Sequence, residues 1–372
     1  MLLLLLVADL GACAAPATET AAPTACPTPE GDVVKICAPG LDIEEAEPTG
    51  GDHSPESVVS APTLAPGPAG PAAPTLESTP ATSSPTPTNS APKVEIPDWS
   101  PCSEDVCIRK NVFLFERPIV PPGREAIDST YRFGTTVNGQ RDPHHGVEML
   151  NSSGTPVHAA AAGRVVVAGD DSVTAYANYT NIYGNLVVIE HDFPSLDAPV
   201  YTLYGHLAEV LVQPGQQVHP GDTIGKVGMT GAATGSHLHF EVRWDENEYT
   251  ASRNPELWLQ PPHEDDLKLG AIAGRILDQD GSYLPVENIV VERFAGPQGP
   301  AEWETYLRTY EEKDLVGQPP WEENFALGDL PPGWYRISFV QYGMQSRVVE
   351  VVPGSLTLLT FHLSPNGEAA GG

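Results

Sequence analysis

The chain reads as a mainly β protein, with two folded β regions behind a long unfolded lead. Three observations predict this. Short apolar runs bounded by Gly and Pro recur from about Trp99 to Trp258, and again from Leu269 to about Ser364. That spacing signals antiparallel strands rather than alternating strands and helices. No long stretch carries the apolar period of a helix. Finally, the 39 Pro among 372 residues crowd into the first quarter, so that part cannot bury a core while the remainder is long enough for two.

The apolar run over 2–7 is too short to span a bilayer and reads as an export signal. Leu10-Gly11-Ala12-Cys13 resembles a bacterial lipobox, although no Lys or Arg precedes the run and Asp9 interrupts its end. A signal peptide over 1–13 with a lipid anchor at Cys13 is expected; simple secretion is the alternative. Residues 14–97 are rich in Pro, Thr, Ala and Ser and form a linker with too little apolar content to fold. As a flexible coil it spans on the order of 50 Å. There are five cysteines, an odd number for an exported chain. With Cys13 lipidated, four remain, giving a local bridge between Cys102 and Cys107 and a second between Cys26 and Cys37. An oxidising compartment permits both. Asp and Glu outnumber Lys and Arg by 49 to 19, which argues against nucleic acid as a partner.

The first β region is expected over 98–262, with strands in 163–169, 184–190 and 200–204. A Pro-led polar joint at 261–266 separates it from a second region over 268–364, and 365–372 is a disordered tail. Strands of the second region fall at 271–276, 288–292, 334–340, 346–352 and 356–361. Its turn glycines and its Phe325-x-Leu-x-x-Leu-Pro-Pro-Gly-x-Tyr335 run resemble the carboxypeptidase regulatory-like (prealbumin-like) β-sandwich domains of secreted proteins. That resemblance specifies a fold and no chemistry.

Chemistry concentrates in Gly235-Ser236-His237-Leu238-His239-Phe240-Glu241-Val242. Alternation places His237, His239 and Glu241 on one face of a strand, with Leu238, Phe240 and Val242 behind. The two imidazoles then lie roughly 6–7 Å apart. Alone, the pair reads equally well as surface histidines. Three further pieces alter that: Asp142-Pro143-His144-His145-Gly146-Val147-Glu148, Tyr204-Gly205-His206, and the Pro214-Gly215 to Gly225 loop. Catalytic zinc takes three protein ligands and keeps a fourth position open. His144, Glu148 and His239 supply two nitrogens and one oxygen, leaving His206 and His237 beside the open position for proton transfer and oxyanion stabilisation.

Together, His144-x-x-x-Glu148, Tyr204-Gly205-His206 and His237-Leu238-His239 resemble the lysostaphin/LytM-like zinc endopeptidases over about 124–242. The resemblance implies an antiparallel β-sheet groove of that type, one zinc, and hydrolysis of peptide bonds in bacterial peptidoglycan. It implies ligand roles for His144 and His239 and catalytic roles for His206 and His237. Where the family has Asp, this chain has Glu148, one methylene longer. The alternative is a catalytically weak or inactive domain that binds peptidoglycan or regulates another hydrolase. The Gly-Gln and Gly-Asp turns also resemble biotinyl/lipoyl carriers, but Lys226 lies inside a strand rather than on a hairpin turn. His145 is read as a groove or supporting residue. Glu241 is read either as the acceptor for a ligand imidazole or, with more weight, as a solvent-facing strand residue. Tyr204 is read as packed with its hydroxyl near the groove, and Tyr131, Arg132 and Arg141 as cleft lining or loop packing. His53, His158, His191, His219, His263 and His362 carry no ligand role.

Overall fold

The computed structural model describes residues 97–262, 268–297, 299–310, 315 and 317–365. The lipobox at Cys13, the linker through Ile96, the Cys26–Cys37 pairing, His53, His263 and the tail from 366 lie outside the described residues. The Cys102–Cys107 disulfide is present, its Cα atoms 6.1 Å apart.

The strands are β1 (Val106–Lys110), β2 (Val147–Leu150), β3 (Pro156–His158), β4 (Gly163–Asp170), β5 (Asn185–His191), β6 (Val200–Val210), β7 (Gln217–Val218), β8 (Thr223–Val227), β9 (His237–Trp244) and β10 (Ser252–Arg253). They continue as β11 (Gly270–Leu277), β12 (Ile289–Phe294), β13 (Ala301–Leu307), β14 (Phe325–Leu330), β15 (Gly333–Val340), β16 (Met344–Val351) and β17 (Ser355–His362). No α-helix occurs among the described residues. Strands β2 to β10 form one antiparallel sheet, with β9 between β6 and both β2 and β10.

The apolar run Leu186-Val187-Val188-Ile189 in β5 is explained by its place in that sheet. All four side chains are fully buried. Val187 and Ile189 enter the main core, while Leu186 and Val188 enter a smaller cluster on the opposite face. A strand covered on both faces loses the polar alternation of a half-exposed one.

Two four-stranded sheets follow, in the orders β1-β17-β11-β14 and β13-β12-β15-β16. The first is mixed, because β11 and β17 run parallel. It is also a middle layer. Ala271, Ala273, Leu356 and Leu358 join the core of the 97–262 region, whereas Ile272, Ile276, Leu359 and Phe361 pack toward the other sheet. Strand β1, within the 98–262 stretch, pairs with β17 at the far end of the chain. Trp99 stacks on Trp321 at 4.7 Å and packs on Trp258 at 4.6 Å. The two regions therefore share one apolar core.

Candidate metal centre

Strand register builds the site. β2 and β9 align Glu148 with His239, and β9 and β6 align His239 with Gly205. Side chains opposed across an antiparallel pair meet on one face. Behind β9, Leu238, Phe240 and Val242 are fully buried in the core, each contributing roughly 1.5–3 kcal/mol and fixing which face His237, His239 and Glu241 present. At Gly205 a Cβ would crowd the Tyr183 ring, 3.2 Å from its Cδ1, and would sit in ordinary contact with the His239 Cβ. His206 follows with φ of +60°, a left-handed backbone uncommon outside glycine. This bends β6 where its pairing register shifts, and it turns the imidazole into the groove.

His144 Nε2, Glu148 Oε1 and His239 Nδ1 form a triangle with edges of 3.0, 3.1 and 3.3 Å, and all three residues are buried. Their outer hydrogen bonds assign the tautomers. His144 Nδ1 lies 2.9 Å from the Tyr131 carbonyl and must donate, so Nε2 carries a lone pair. His239 Nε2 lies 3.0 Å from Glu241 Oε1 and must donate, so Nδ1 carries a lone pair. Three lone-pair atoms thus face one another, which needs a cation or an added proton between them. Zinc bonds of about 2.0–2.1 Å in tetrahedral geometry put ligand atoms roughly 3.3 Å apart. The donor set and its spacing therefore fit zinc.

The charges agree. Burial raises the Glu148 carboxyl, but the imidazoles of His239, His144 and His237 outweigh it and hold the group well below its ordinary range. Burial lowers His239, but Glu148 and Glu241 outweigh it and bring the imidazole up to about 10. A metal cation would take the place of that extra proton. His144 is lowered, chiefly by burial, with Glu148 opposing.

The other two histidines stand beside the triangle. His206 Nδ1 lies 2.8 Å from the Thr230 carbonyl, which leaves Nε2 as the acceptor. Burial is the main cause bringing its pKa down to about 4, so it is neutral near pH 7. His237 Nδ1 lies 2.8 Å from the Gly235 carbonyl. Its Nε2 is 3.0 Å from Glu148 Oε2, a close polar contact, and that oxygen has no hydrogen-bond partner among the described residues. The two rings are 4.7 Å apart.

Glu241 departs from the solvent-facing expectation. It is fully buried, and it accepts from His239, from the Tyr183 hydroxyl at 2.5 Å and from Arg243 Nε at 2.8 Å. Burial opposes its charge, but Arg243 and His239 bring its pKa down to about 2. Tyr183 and Arg243 escaped sequence reasoning. Arg243 was within reach of it, because it continues the same alternation two residues past Glu241; Tyr183 comes from a loop with no such pattern. Tyr204 is packed as expected, fully buried, but not with its hydroxyl near the groove. Its hydroxyl points into the core, 2.9 Å from the Ala160 amide and 3.0 Å from Thr202 Oγ1. Tyr131, Arg141 and His145 line the groove, and His145 stacks on Tyr249 at 3.6 Å. Arg132 instead pairs with buried Glu256. Among the remaining histidines, His191 is fully buried away from the groove, and His158, His219 and His362 also lie outside it.

Comparison with known proteins bears on the same stretch. Peptidoglycan DD-endopeptidase ShyB of Vibrio cholerae serotype O1 is 37% identical over 129 residues, which cover 32% of this chain and 27% of that protein. Outer membrane antigenic lipoprotein B of Haemophilus influenzae is 38% identical over 30% of this chain and 23% of its own length. Murein hydrolase activator NlpD of Salmonella typhimurium is 35% identical over 30% of this chain and 25% of its own. The chain thus spans about a quarter of the length of these curated relatives. The model of peptidase family M23 matches residues 142–251, the stretch that carries all three converging donors and both histidines beside them.

Proposed function

We propose that the protein is a zinc-dependent metalloendopeptidase that hydrolyses peptide bonds in bacterial cell-wall peptidoglycan. The observation that carries this reading is the triangle of proton-free donor atoms on His144, Glu148 and His239, within the stretch matched by the peptidase family. Zinc held there supplies a Lewis acid that polarises the scissile carbonyl and acidifies water. The chain's own groups do the rest. His206, neutral and presenting Nε2, takes the proton of the attacking water. His237, beside the triangle, stabilises the developing oxyanion. Glu241, anchored by Arg243 and Tyr183, fixes the tautomer and orientation of His239. The extra methylene of Glu148 is taken up by a carboxylate that gives Oε1 to the triangle and turns Oε2 toward His237.

The relatives named an outer membrane lipoprotein and a murein hydrolase activator support an extracytoplasmic site of action, with lipid anchoring at Cys13 as the means of retention. The prealbumin-like reading of 268–364 stays part of the proposal as a fold assignment. A second reading, a hydrolase-regulating module that does not cut, draws on the activator relative. The presence of all four histidines favours the enzyme.

The purified protein is expected to hold about one zinc and to release peptides with new amino termini from peptidoglycan. His206→Ala should keep the zinc and lose cleavage by at least about 10²-fold. A wild type with neither zinc nor cleavage, where both appear in Glu148→Asp, would sink the proposal.

A further inference from the structure

We propose that Arg141 binds a free carboxylate of the substrate, so that the groove selects peptides carrying a carboxylate next to the bond to be cut. This rests on the endopeptidase reading above and names the substrate feature it requires. Among the described residues lining the groove, Arg141 is the only Lys or Arg; Arg243 is wholly buried behind Glu241. The remaining charged walls, Asp142, Glu148 and Glu241, are acidic. With Glu241 paired to Arg243 and Glu148 facing the imidazoles of the triangle, Arg141 is the one cationic side chain that the groove offers a substrate carboxylate outside the triangle.

Arg141 is available for that role. Several arginines elsewhere in the described structure are matched to carboxylates, as in Arg117 with Asp329, Arg164 with Glu190 and Arg293 with Glu302. Arg141 has no carboxylate within ion-pair distance among the described residues, in a chain where acidic groups exceed basic ones by 49 to 19. Its guanidinium lies 4.9 Å from the centre of the Tyr131 ring, and that ring stacks on His144 at 3.9 Å. The cation therefore stands one ring away from the first donor of the metal triangle. A planar guanidinium presents paired N–H groups that match a carboxylate's two oxygens, and its partner in the groove, the Tyr131 side chain, is a neutral phenol rather than a carboxylate.

The loop that presents Arg141 is braced. Arg141 N donates to the Thr136 carbonyl at 3.0 Å, His144 N to Thr135 O at 3.0 Å, and Gly134 N to His144 O at 2.7 Å. From the C-terminal region, Tyr310 packs edge-on against Phe133 at 5.1 Å, and Arg308 donates to Asn138 at 2.9 Å. Stem peptides, which carry free carboxylates, fit such a site; amidated stems and cross-bridges of neutral residues do not.

The test compares two cross-linked peptidoglycan peptides, identical except that the carboxylate adjoining the scissile bond is free in one and a primary amide in the other. A charge-assisted hydrogen bond is expected to give the free acid a KM about tenfold lower with the wild-type holoenzyme. Arg141→Gln should raise the KM of the acid to that of the amide with little change in kcat, and Arg141→Lys should recover part of the preference. Equal KM values for both peptides with wild type, or a loss in Arg141→Gln that is the same for both, would overturn the proposal. If wild type cuts neither peptide, the endopeptidase reading fails and equilibrium binding of the same pair decides. A preference for the acid that Arg141→Gln abolishes supports the carboxylate site; equal binding refutes it.

Discussion

His191 is held neutral by burial. Its Nδ1 lies 2.9 Å from the Ala162 carbonyl and must donate, so Nε2, 2.8 Å from Thr202 Oγ1, must accept. Burial lowers its pKa to about 4, with the Ala162 carbonyl opposing. The unfolded chain takes up a proton near pH 6.5, which the native state refuses until about pH 4. In that window the unfolded state binds more protons, so stability rises with pH and falls on acidification. The loss across the window is roughly 3 kcal/mol. Replacing the imidazole by His191→Gln should remove about one proton from the pH dependence of unfolding between pH 6.5 and 4. Denaturant titrations across that range read it directly, and an unchanged slope contradicts the assignment.

At the scale of the element, β2 and β9 act as one unit. Gly146 enters β2 between His144 and Glu148, and a Cβ there would lie 2.5 Å from the Phe240 carbonyl and 2.9 Å from the His239 ring. Neither neighbour yields without moving β9, which Leu238 and Phe240 pin into the core. Gly146→Ala is therefore expected to weaken zinc binding by at least about tenfold, the scale on which misoriented ligand support acts, and to lower the melting temperature. Zinc titration with a chromophoric competitor checks this, and wild-type affinity would show that the strand pair relaxes. The alternation of β9 was legible in the sequence because side-chain direction follows from a two-residue period. Its register against β2 was not, because register depends on a partner ninety residues away in the chain.

The whole described structure is tied by the middle sheet and by the tryptophans at its border. Trp321, from the C-terminal region, is 3% exposed and belongs to the core of the 97–262 region. Trp321→Ala should destabilise that region together with its own, by about 3–5 kcal/mol. Far-ultraviolet circular dichroism and tryptophan fluorescence should then report coincident transitions, as a two-state process requires. Separate transitions would mean that the shared core does not couple the two regions.

By itself the sequence determined the strand content and the set of converging residues. Apolar alternation, turn glycines and the His144 to Glu148 spacing are short-range properties that a single chain displays. Tertiary structure alone decided what surrounds them. Glu241 reads as a surface residue until β6 and the loop bearing Tyr183 cover it, and Arg243 supplies the charge that lets it stay buried. Tyr204 sits beside Gly205 in sequence, yet its hydroxyl turns to Ala160 and Thr202 in the core. Likewise β1 leaves its sequence neighbours to pair with β17. Each of these depends on contacts between segments far apart in the chain, where burial and charge pairing are settled by which strands become neighbours, and no local pattern carries that information.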